Sequence, residues 1–308
     1  MYDSNIQNLI TNLPLRNCPL QLDIVLEGGG FNGSYELGVL YFLKELVNQS
    51  YITVGRVSGA SIGSLLAACF LTDNLDAYVN HYKKMREAWK KTIQLELYGK
   101  FIESFVNSFT TAQFDLLKND TLYVTFFDVC KKTQITQSNF SDRLDLIQAL
   151  RKSAYIPCLT DGNACLYVDE QFFIDGGQPF IFHDRECHIN KKILYVSINH
   201  VSKMTTMFTT KNERNACGRI LEGILDCYDF FLHGHPTKIC SFVHQWSSLD
   251  FIKLRTKHLL LVLIVYGVYY SHCAHTSLTP YLEKNALYKQ MKPIFHNLYK
   301  DFILYFCF

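Results

Sequence analysis

The sequence predicts an α/β protein in which a mostly parallel central sheet is flanked by helices. Two observations favour this fold class. Short apolar runs typical of buried parallel strands alternate with apolar stripes of helical period, and each of the first two such runs leads into a glycine-containing turn. A length of 308 residues, 48% of them hydrophobic, is enough to bury the core of one large domain, with or without an appendage.

The first strand is predicted at residues 22–27 and the second at 52–57, because both are short and rich in Ile, Val and Leu. The helix between them is predicted to begin at Ser34, whose side chain is suited to capping it. Residues 64–71 are apolar all round, as in a helix buried inside a fold. These segments follow one another as strand, glycine loop, helix, strand, turn and helix.

The chain continues to alternate between strand and helix patterns up to about residue 200. Helices are predicted at 74–91, 101–109 and 142–152, and strands at 122–129, 134–137, 166–168, 172–174 and 193–198. Beyond this point recognisable motifs become sparse, which indicates a domain boundary there.

A serine at a sharp turn is the first candidate for chemistry. Residues 59–63 read Gly-Ala-Ser-Ile-Gly, the pattern that presents a nucleophilic serine between a strand and a helix. Such a pentapeptide also arises by chance at tight turns that need small residues. The strand before Ser61 and the buried helix after it favour the nucleophile, with Gly59 and Gly63 supporting the turn. The positive end of that helix would stabilise negative charge beside the serine.

The glycine run at residues 28–33, Gly-Gly-Gly-Phe-Asn-Gly, is the second candidate. The backbone amides of Gly29 and Gly30, joined by that of Ile62, could stabilise a developing oxyanion. The spacing also matches a dinucleotide-binding loop, which requires an acidic residue about 20 positions further on. Residues 47–53 contain no acid, so the dinucleotide hypothesis is weak.

A serine nucleophile needs a base, and Asp175 is the candidate. It ends a predicted strand and precedes Gly176 and Gly177, which would turn the chain sharply. The same Asp-Gly sequence is common in hairpin turns. Burial beside the serine would have to raise the basicity of the carboxylate for it to act. A Ser-Asp-His triad stays an alternative, because three histidines follow the aspartate in the order found in α/β-hydrolases: His183, His188 and His200.

Charge and cysteine usage exclude several other classes. The formal net charge is +2, from 30 basic and 28 acidic residues, and no basic stripe is interleaved with aromatic residues, so we expect no nucleic-acid partner. The eleven cysteines are scattered, which favours reduced thiols in the cytoplasm. The residues His233, His235, Cys240 and His244 fit no standard zinc spacing, so we expect no metal site.

An apolar segment at residues 258–270 lies in the C-terminal part of the chain. A transmembrane helix needs about 20 apolar residues, and this run is shorter unless the neutral residues after it are included. We expect a buried or interfacial segment in preference to a transmembrane span. The protein is then expected in the cytoplasm, peripheral at membranes.

Four motifs, taken in their order, resemble those of the patatin-like phospholipase family. They are the glycine run from Glu27 to Gly33, the serine turn at 59–63, the sequence Ser-Ala-Tyr-Ile-Pro at 153–157, and Asp175-Gly-Gly. The likeness covers about residues 20–200. It implies a three-layer patatin-like fold and a phospholipase A-type or esterase activity on acyl esters of membrane lipids, without a cofactor.

By the same resemblance, Ser61 is the nucleophile and Asp175 the base of a Ser-Asp dyad, and the glycines from Gly28 to Gly30 form the oxyanion hole. The implied organisation is an N-terminal extension at 1–19, a catalytic domain at 20–200 and a helical C-terminal region at 201–308. Lipid is the expected substrate, a membrane surface the expected partner, and the sequence identifies no protein partner.

Two departures from the family pattern bear on activity. The family usually carries Arg or Lys where this chain has Asn32, so a charge near the oxyanion is missing and we expect slower turnover. After the aspartate turn the chain runs Gln-Pro-Phe at 178–180 in place of Asn-x-Pro, which affects local geometry and lipid access. The alternative function is a weak or inactive patatin-like scaffold that binds lipid or membranes; the intact Ser61 and Asp175 favour the enzyme.

Overall fold

The protein is described here by a computed structural model that covers residues 3–92, 96–183, 191–200, 203, 205–207, 209–210, 213 and 215–307. Its strands are β1 (Leu20–Leu26), β2 (Ile52–Ala60), β3 (Leu122–Asp128), β4 (Thr133–Gln137), β5 (Leu166–Val168), β6 (Gln171–Asp175), β7 (Lys191–Val196) and β8 (Cys240–Phe242). Its helices are α1 (Asp3–Ile10), α2 (Gly33–Asn48), α3 (Ile62–Leu71), α4 (Leu75–Thr92), α5 (Glu96–Asn107), α6 (Thr111–Asp115), α7 (Arg143–Ser153), α8 (Cys217–His233), α9 (Ser248–Leu282) and α10 (Ala286–Cys307).

All of these strands join one sheet in the order β5-β6-β3-β2-β1-β7-β8, with β4 also paired to β3. The four central strands β3, β2, β1 and β7 are mutually parallel. The outer strands attach through antiparallel pairings. Helices flank this sheet, which confirms the predicted fold class.

The side chains of strand β1 pack into two different clusters, because successive side chains point to opposite faces of the sheet. Leu22, Ile24 and Leu26 belong to the main core, with α2 and α3. Val25 lies in a smaller cluster, against which Leu254 of α9 packs. The glycine loop and the serine turn both start where these buried parallel strands end.

The strands and helices predicted near the N-terminus are confirmed in type, with shifted ends. Strand β2 runs on to Ala60, immediately before Ser61. Helix α2 begins at Gly33 with Asn32 at its N-cap position, so the predicted capping role of Ser34 is wrong. The physical reason is that Asn32 already has helical backbone angles, φ −67° and ψ −14°, and the chain therefore enters the helix directly from the glycine loop.

The regions outside residues 20–200 also pack on this core. Ile6 and Ile10 of α1 are buried in it. Helix α8 crosses α2 closely, since a Cβ atom on Gly38 or Gly223 would overlap the backbone of the other helix. Strand β8 extends the sheet beyond β7. The domain boundaries near residues 20 and 200 stay predictions.

The apolar segment at 258–270 lies within the long helix α9. Several of its leucines are more than half exposed, so a fully buried segment is not what the structure shows. No helix among the described residues combines the length and the apolar character needed to cross a membrane.

Candidate active site

Ser61 occupies a strained turn between β2 and α3. Its backbone angles are φ 55° and ψ −128°, a conformation that costs a residue with a side chain about 1–3 kcal/mol. The turn closes tightly because Gly59 and Gly63 are in contact: a Cβ on Gly59 would overlap the backbone of Gly63, and one on Gly63 would lie 2.7 Å from the Leu26 carbonyl oxygen. The sequence predicts this elbow, and the structure has it, with Ser61 6% exposed.

The register of the sheet brings Asp175 to the same level as Ser61. Ala60 of β2 pairs with Thr125 of β3, and the next residue of β3, Phe126, pairs with Asp175 at the end of β6. Thr125 and Phe126 also pair with β4, on the opposite edge, so β2 and β6 lie on the same side of β3. Ser61, which follows the end of β2, and Asp175, at the end of β6, therefore approach each other along that side of β3.

The carboxyl of Asp175 has two hydrogen-bond partners. The Ser61 side chain is one, and the Gly177 backbone N–H is the other, at 2.7 Å from Oδ1. Although part of the residue remains accessible, burial of the carboxyl dominates and raises its pKa to about 6, against the lowering effect of these two bonds. A carboxylate with this pKa is a better base at neutral pH than an ordinary aspartate.

Gly176 is required where the turn after Asp175 passes β3, since a Cβ there would overlap the Thr125 carbonyl group. The turn is fixed further by the Thr125 hydroxyl, which accepts a hydrogen bond from the Phe180 N–H at 3.2 Å. The carboxyl is thereby held at a defined position, beyond what an ordinary Asp-Gly hairpin turn requires.

Within the described part of the chain, no histidine hydrogen-bonds the Asp175 carboxyl. His183 contacts the ring of Phe180 instead, with ring centroids 6.5 Å apart. His188, one of the three triad candidates, lies outside the described residues. The same described residues contain no group of three or more His, Cys, Asp or Glu side chains placed to hold a metal ion.

Four backbone N–H groups, three in the glycine loop and one directly after Ser61, have no acceptor among the described residues. Over the residues that the structure describes, the amides of Gly28, Gly29, Gly30 and Ile62 donate no hydrogen bond within the protein. Gly28 lies against the serine, since a Cβ there would be 2.7 Å from the Ser61 Cβ. Unused amides next to a serine are what an oxyanion needs.

Ser153 makes a contact to the serine turn that the sequence did not reveal. Its buried hydroxyl accepts a hydrogen bond from the Ser61 backbone N–H at 2.9 Å and donates one to the Thr125 carbonyl oxygen at 2.7 Å. The Ser61 amide is therefore occupied and is not one of the free donors. The available signal was that Ser153 opens a motif shared with the family, but no spacing rule links it to residue 61.

Asn32 is fully buried, and both polar atoms of its side chain form hydrogen bonds. Nδ2 donates to the Ile198 and Lys203 carbonyl oxygens at 3.2 and 2.9 Å. Oδ1 accepts from the Thr206 hydroxyl at 2.8 Å and from Arg219 Nη1 at 3.1 Å. The side chain thus ties the glycine loop to the segment that follows β7.

Arg219 brings a positive charge to Asn32 from helix α8. Its guanidinium is buried and pairs with Glu213 at 2.8 Å, while Nη2 and Nη1 also donate to the Thr209 and Thr206 carbonyl oxygens at 2.8 and 2.9 Å. Arg219 therefore places a positive charge in direct hydrogen-bond contact with the neutral side chain of Asn32. An arginine on the apolar stripe that also carries Ile220 was the signal available in the sequence.

Two buried carboxyl groups lie beneath the glycine loop. Glu27 accepts hydrogen bonds from the Tyr195 hydroxyl and from the Ile198 and Asn199 N–H groups, all at 3.0 Å. Both side-chain oxygens of Glu36 lack a hydrogen-bond partner. Burial, and then the charge of Glu27, raise the pKa of Glu36 well above its ordinary value.

A serine on a strand–helix elbow, set in an α/β fold with a mostly parallel sheet, is the arrangement of a broad class of serine hydrolases. Within that class the chain belongs to the patatin-like phospholipase family, whose family model matches residues 24–183, just over half of the chain. This confirms the resemblance seen in the sequence. Members of the family are lipid acyl hydrolases.

Other comparisons add less. One similar solved structure is that of VipD from Legionella pneumophila, at 14% sequence identity and a TM-score of 0.32. The alignment covers 57% of this chain and 49% of that chain, so this chain matches about half the length of that relative. A search among curated proteins found no match.

Proposed function

We propose that the protein hydrolyses acyl esters of membrane lipids through a covalent intermediate on Ser61, with Asp175 as the base. The observation that carries the proposal is the pairing of a strained serine with a carboxyl whose pKa is raised to about 6. The raised pKa favours proton uptake from the serine, and the strain holds its hydroxyl clear of its own backbone.

In the first half of the reaction, Ser61 Oγ attacks the acyl carbonyl carbon and its proton passes to Asp175. The oxygen of that carbonyl becomes negatively charged and is stabilised by free amides among Gly28, Gly29, Gly30 and Ile62. When the intermediate collapses, the ester bond breaks and the departing alcohol takes the proton from the aspartic acid. An acyl-enzyme remains.

In the second half, a water molecule replaces the alcohol. Asp175 accepts a proton from this water as its oxygen attacks the acyl carbon. Collapse of the second intermediate breaks the bond to Ser61 Oγ, and the serine recovers its proton from the aspartic acid. The net reaction consumes one ester and one water and releases an alcohol and a fatty acid.

Fatty-acid release from phospholipid vesicles tests the proposal. We expect release by the wild type and by Ser104→Ala, an exposed serine on α5 that serves as the control. Ser61→Ala and Asp175→Asn should lose release by a factor of about 10³ or more. A fluorophosphonate probe should label the wild type at Ser61. Full release by Ser61→Ala, or no labelling and no release by the wild type, would rule out this mechanism, and the second result would favour a lipid-binding scaffold.

A further inference from the structure

Helix α9 has two unlike faces. Its inner face packs on the protein body through Leu254, Tyr266 and Tyr269. Its outer face carries four apolar side chains, here called the outer strip, that are 59%, 55%, 59% and 64% exposed: Leu259, Leu260, Leu263 and Ile264. Their spacing places them on one side of the helix. Such a contiguous apolar surface marks an interaction site.

Helix α9 is bonded to two of the three segments that carry the candidate active site, the turn after Asp175 and the start of the glycine loop. The Leu254 carbonyl oxygen accepts a hydrogen bond from Gln178 Nε2 at 3.1 Å, in the turn that follows Asp175. Lys257 forms an ion pair with Glu27, the residue directly before the glycine loop. The outer strip is therefore held at a fixed position next to the site.

The charges along α9 fit an anionic interface. From residue 258 to residue 282 the chain contains no Asp, Glu, Lys or Arg. Just before this stretch, Lys253 and Arg255 are exposed. Asp250 caps the helix through Oδ2, and its Oδ1 lies 3.7 Å from Lys253 Nζ in an exposed ion pair that water and salt screen. A helix with an apolar strip bordered by exposed cations is suited to lie in the headgroup region of a bilayer.

We propose that the outer strip, with Lys253 and Arg255, docks the protein on the surface of an anionic lipid bilayer. The inference rests on the proposed function, because a bilayer is where an acyl-ester lipid resides. Exposed Tyr270 and Tyr281 on the same helix support a bilayer as the occupant, since tyrosine is enriched at membrane–water interfaces. Docking through α9 brings the membrane surface to the side of the protein where Gln178 and Glu27 are anchored.

Co-sedimentation with vesicles tests the docking surface. Full-length Ser61→Ala protein is mixed with phosphatidylcholine vesicles that contain or lack phosphatidylserine, so that hydrolysis does not alter the vesicles. We expect binding to the anionic vesicles, reduced about tenfold or more by adding Leu259→Glu and Leu263→Glu. The matched control adds Leu221→Glu and Leu225→Glu on α8, which have the same spacing and are 49% and 46% exposed; it should bind like the parent.

A second pair of changes tests the charges. Lys253→Glu with Arg255→Glu should weaken binding to vesicles with phosphatidylserine, and the remaining binding should depend less on salt than that of the parent, because the attracting cations are gone. Circular dichroism of each variant verifies that the helices are retained. Equal binding by the parent and by the charge variant would contradict the electrostatic part of the proposal.

Three results would overturn the docking proposal. They are no sedimentation of the parent with any vesicle, unchanged sedimentation of the outer-strip variant, and a dimer in solution that the outer-strip changes convert to monomer without any vesicle binding. Hydrolysis of a water-soluble ester by the wild type tests the proposed function without a membrane. Vesicle binding without ester hydrolysis would therefore contradict the proposed enzyme activity and support the docking surface. Ester hydrolysis without vesicle binding would support the enzyme activity and contradict the docking surface.

Discussion

Replacing Ser153 with alanine should impair catalysis without altering any group that contacts the substrate. The Ser153 hydroxyl joins the Ser61 N–H to the Thr125 carbonyl oxygen. Thr125 in turn fixes the turn after Asp175 through its contacts with Gly176 and Phe180. Ser153 is therefore a positioning residue that links the two halves of the proposed dyad.

The cost of this change can be worked out from the two bonds. Ser153 is fully buried, so Ser153→Ala leaves the Ser61 N–H and the Thr125 carbonyl oxygen without that partner and without solvent. The space left by one hydroxyl is smaller than the roughly 30 Å³ that a water molecule occupies in the liquid, so water does not replace it. Each unsatisfied buried group costs about 1–3 kcal/mol, which gives about 2–6 kcal/mol lost from the free energy of unfolding.

The effect on catalysis follows from the strain at Ser61. A residue in its backbone conformation relaxes when the contacts that hold it are removed. A displacement of about 1 Å at a reacting atom can cost about 10²-fold in rate. We expect kcat for a water-soluble ester to fall about 10- to 100-fold, while KM and the apparent pKa of the base stay near the wild-type values.

The matched control is Thr72→Val. Thr72 is also buried and donates to the Ala68 carbonyl oxygen at 2.7 Å, but it lies at the far end of α3, about 16 Å along the helix from Ser61. This variant should lose stability and keep its kcat. Chemical denaturation gives the unfolding free energies, and initial rates give kcat and KM. If Ser153→Ala loses stability but keeps kcat, the positioning role is wrong and the residue is purely structural.

Three further predictions concern titration and buried charge. Since the pKa of Asp175 is about 6, kcat/KM should fall about tenfold per pH unit below that value, and a flat profile between pH 5 and 8 would exclude Asp175 as the base. The folded-state pKa of Glu36 lies above its ordinary 4.5, so its contribution to stability is present below pH 4.5 and is lost as pH rises through the folded value. Glu36→Gln should therefore gain more stability relative to the wild type at pH 8 than at pH 4, and an equal shift in Tm at both pH values would contradict this. Arg219→Met leaves Glu213 unpaired and should lower the free energy of unfolding by about 3 kcal/mol; adding Glu213→Gln should recover part of the loss, and no recovery in denaturant melts would count against the ion pair.

Much of the fold was predictable because it is encoded locally. The alternating strand and helix patterns, the elbow at Ser61 and the Asp-Gly-Gly turn each depend on residues a few positions apart. The ends of the elements were less predictable. Serine is a residue type that often caps helices, which favoured Ser34. However, Asn32 already adopts helical backbone angles, and the helix starts before Ser34. Backbone geometry inherited from the glycine loop outweighed the capping preference of the side chain.

The C-terminal region shows the limit of local patterns. Apolar composition at residues 258–270 was compatible with a buried or an interfacial segment, and only the packing of α9 shows which side chains face outward. Nothing in the sequence indicated that Lys257 pairs with Glu27, because the two residues are 230 positions apart.

The sequence by itself determined which groups are available for chemistry: a serine on a glycine-flanked turn, a glycine loop after the first strand, and an aspartate before two glycines. Only the tertiary structure decided that these groups meet, through the pairing of Ala60 with Thr125 and of Phe126 with Asp175. It also decided what holds them, since Ser153 and Arg219 reach the site from helices distant in sequence. The physical reason is that local conformation depends on neighbouring residues, whereas strand register and helix packing are set by burial of the whole core.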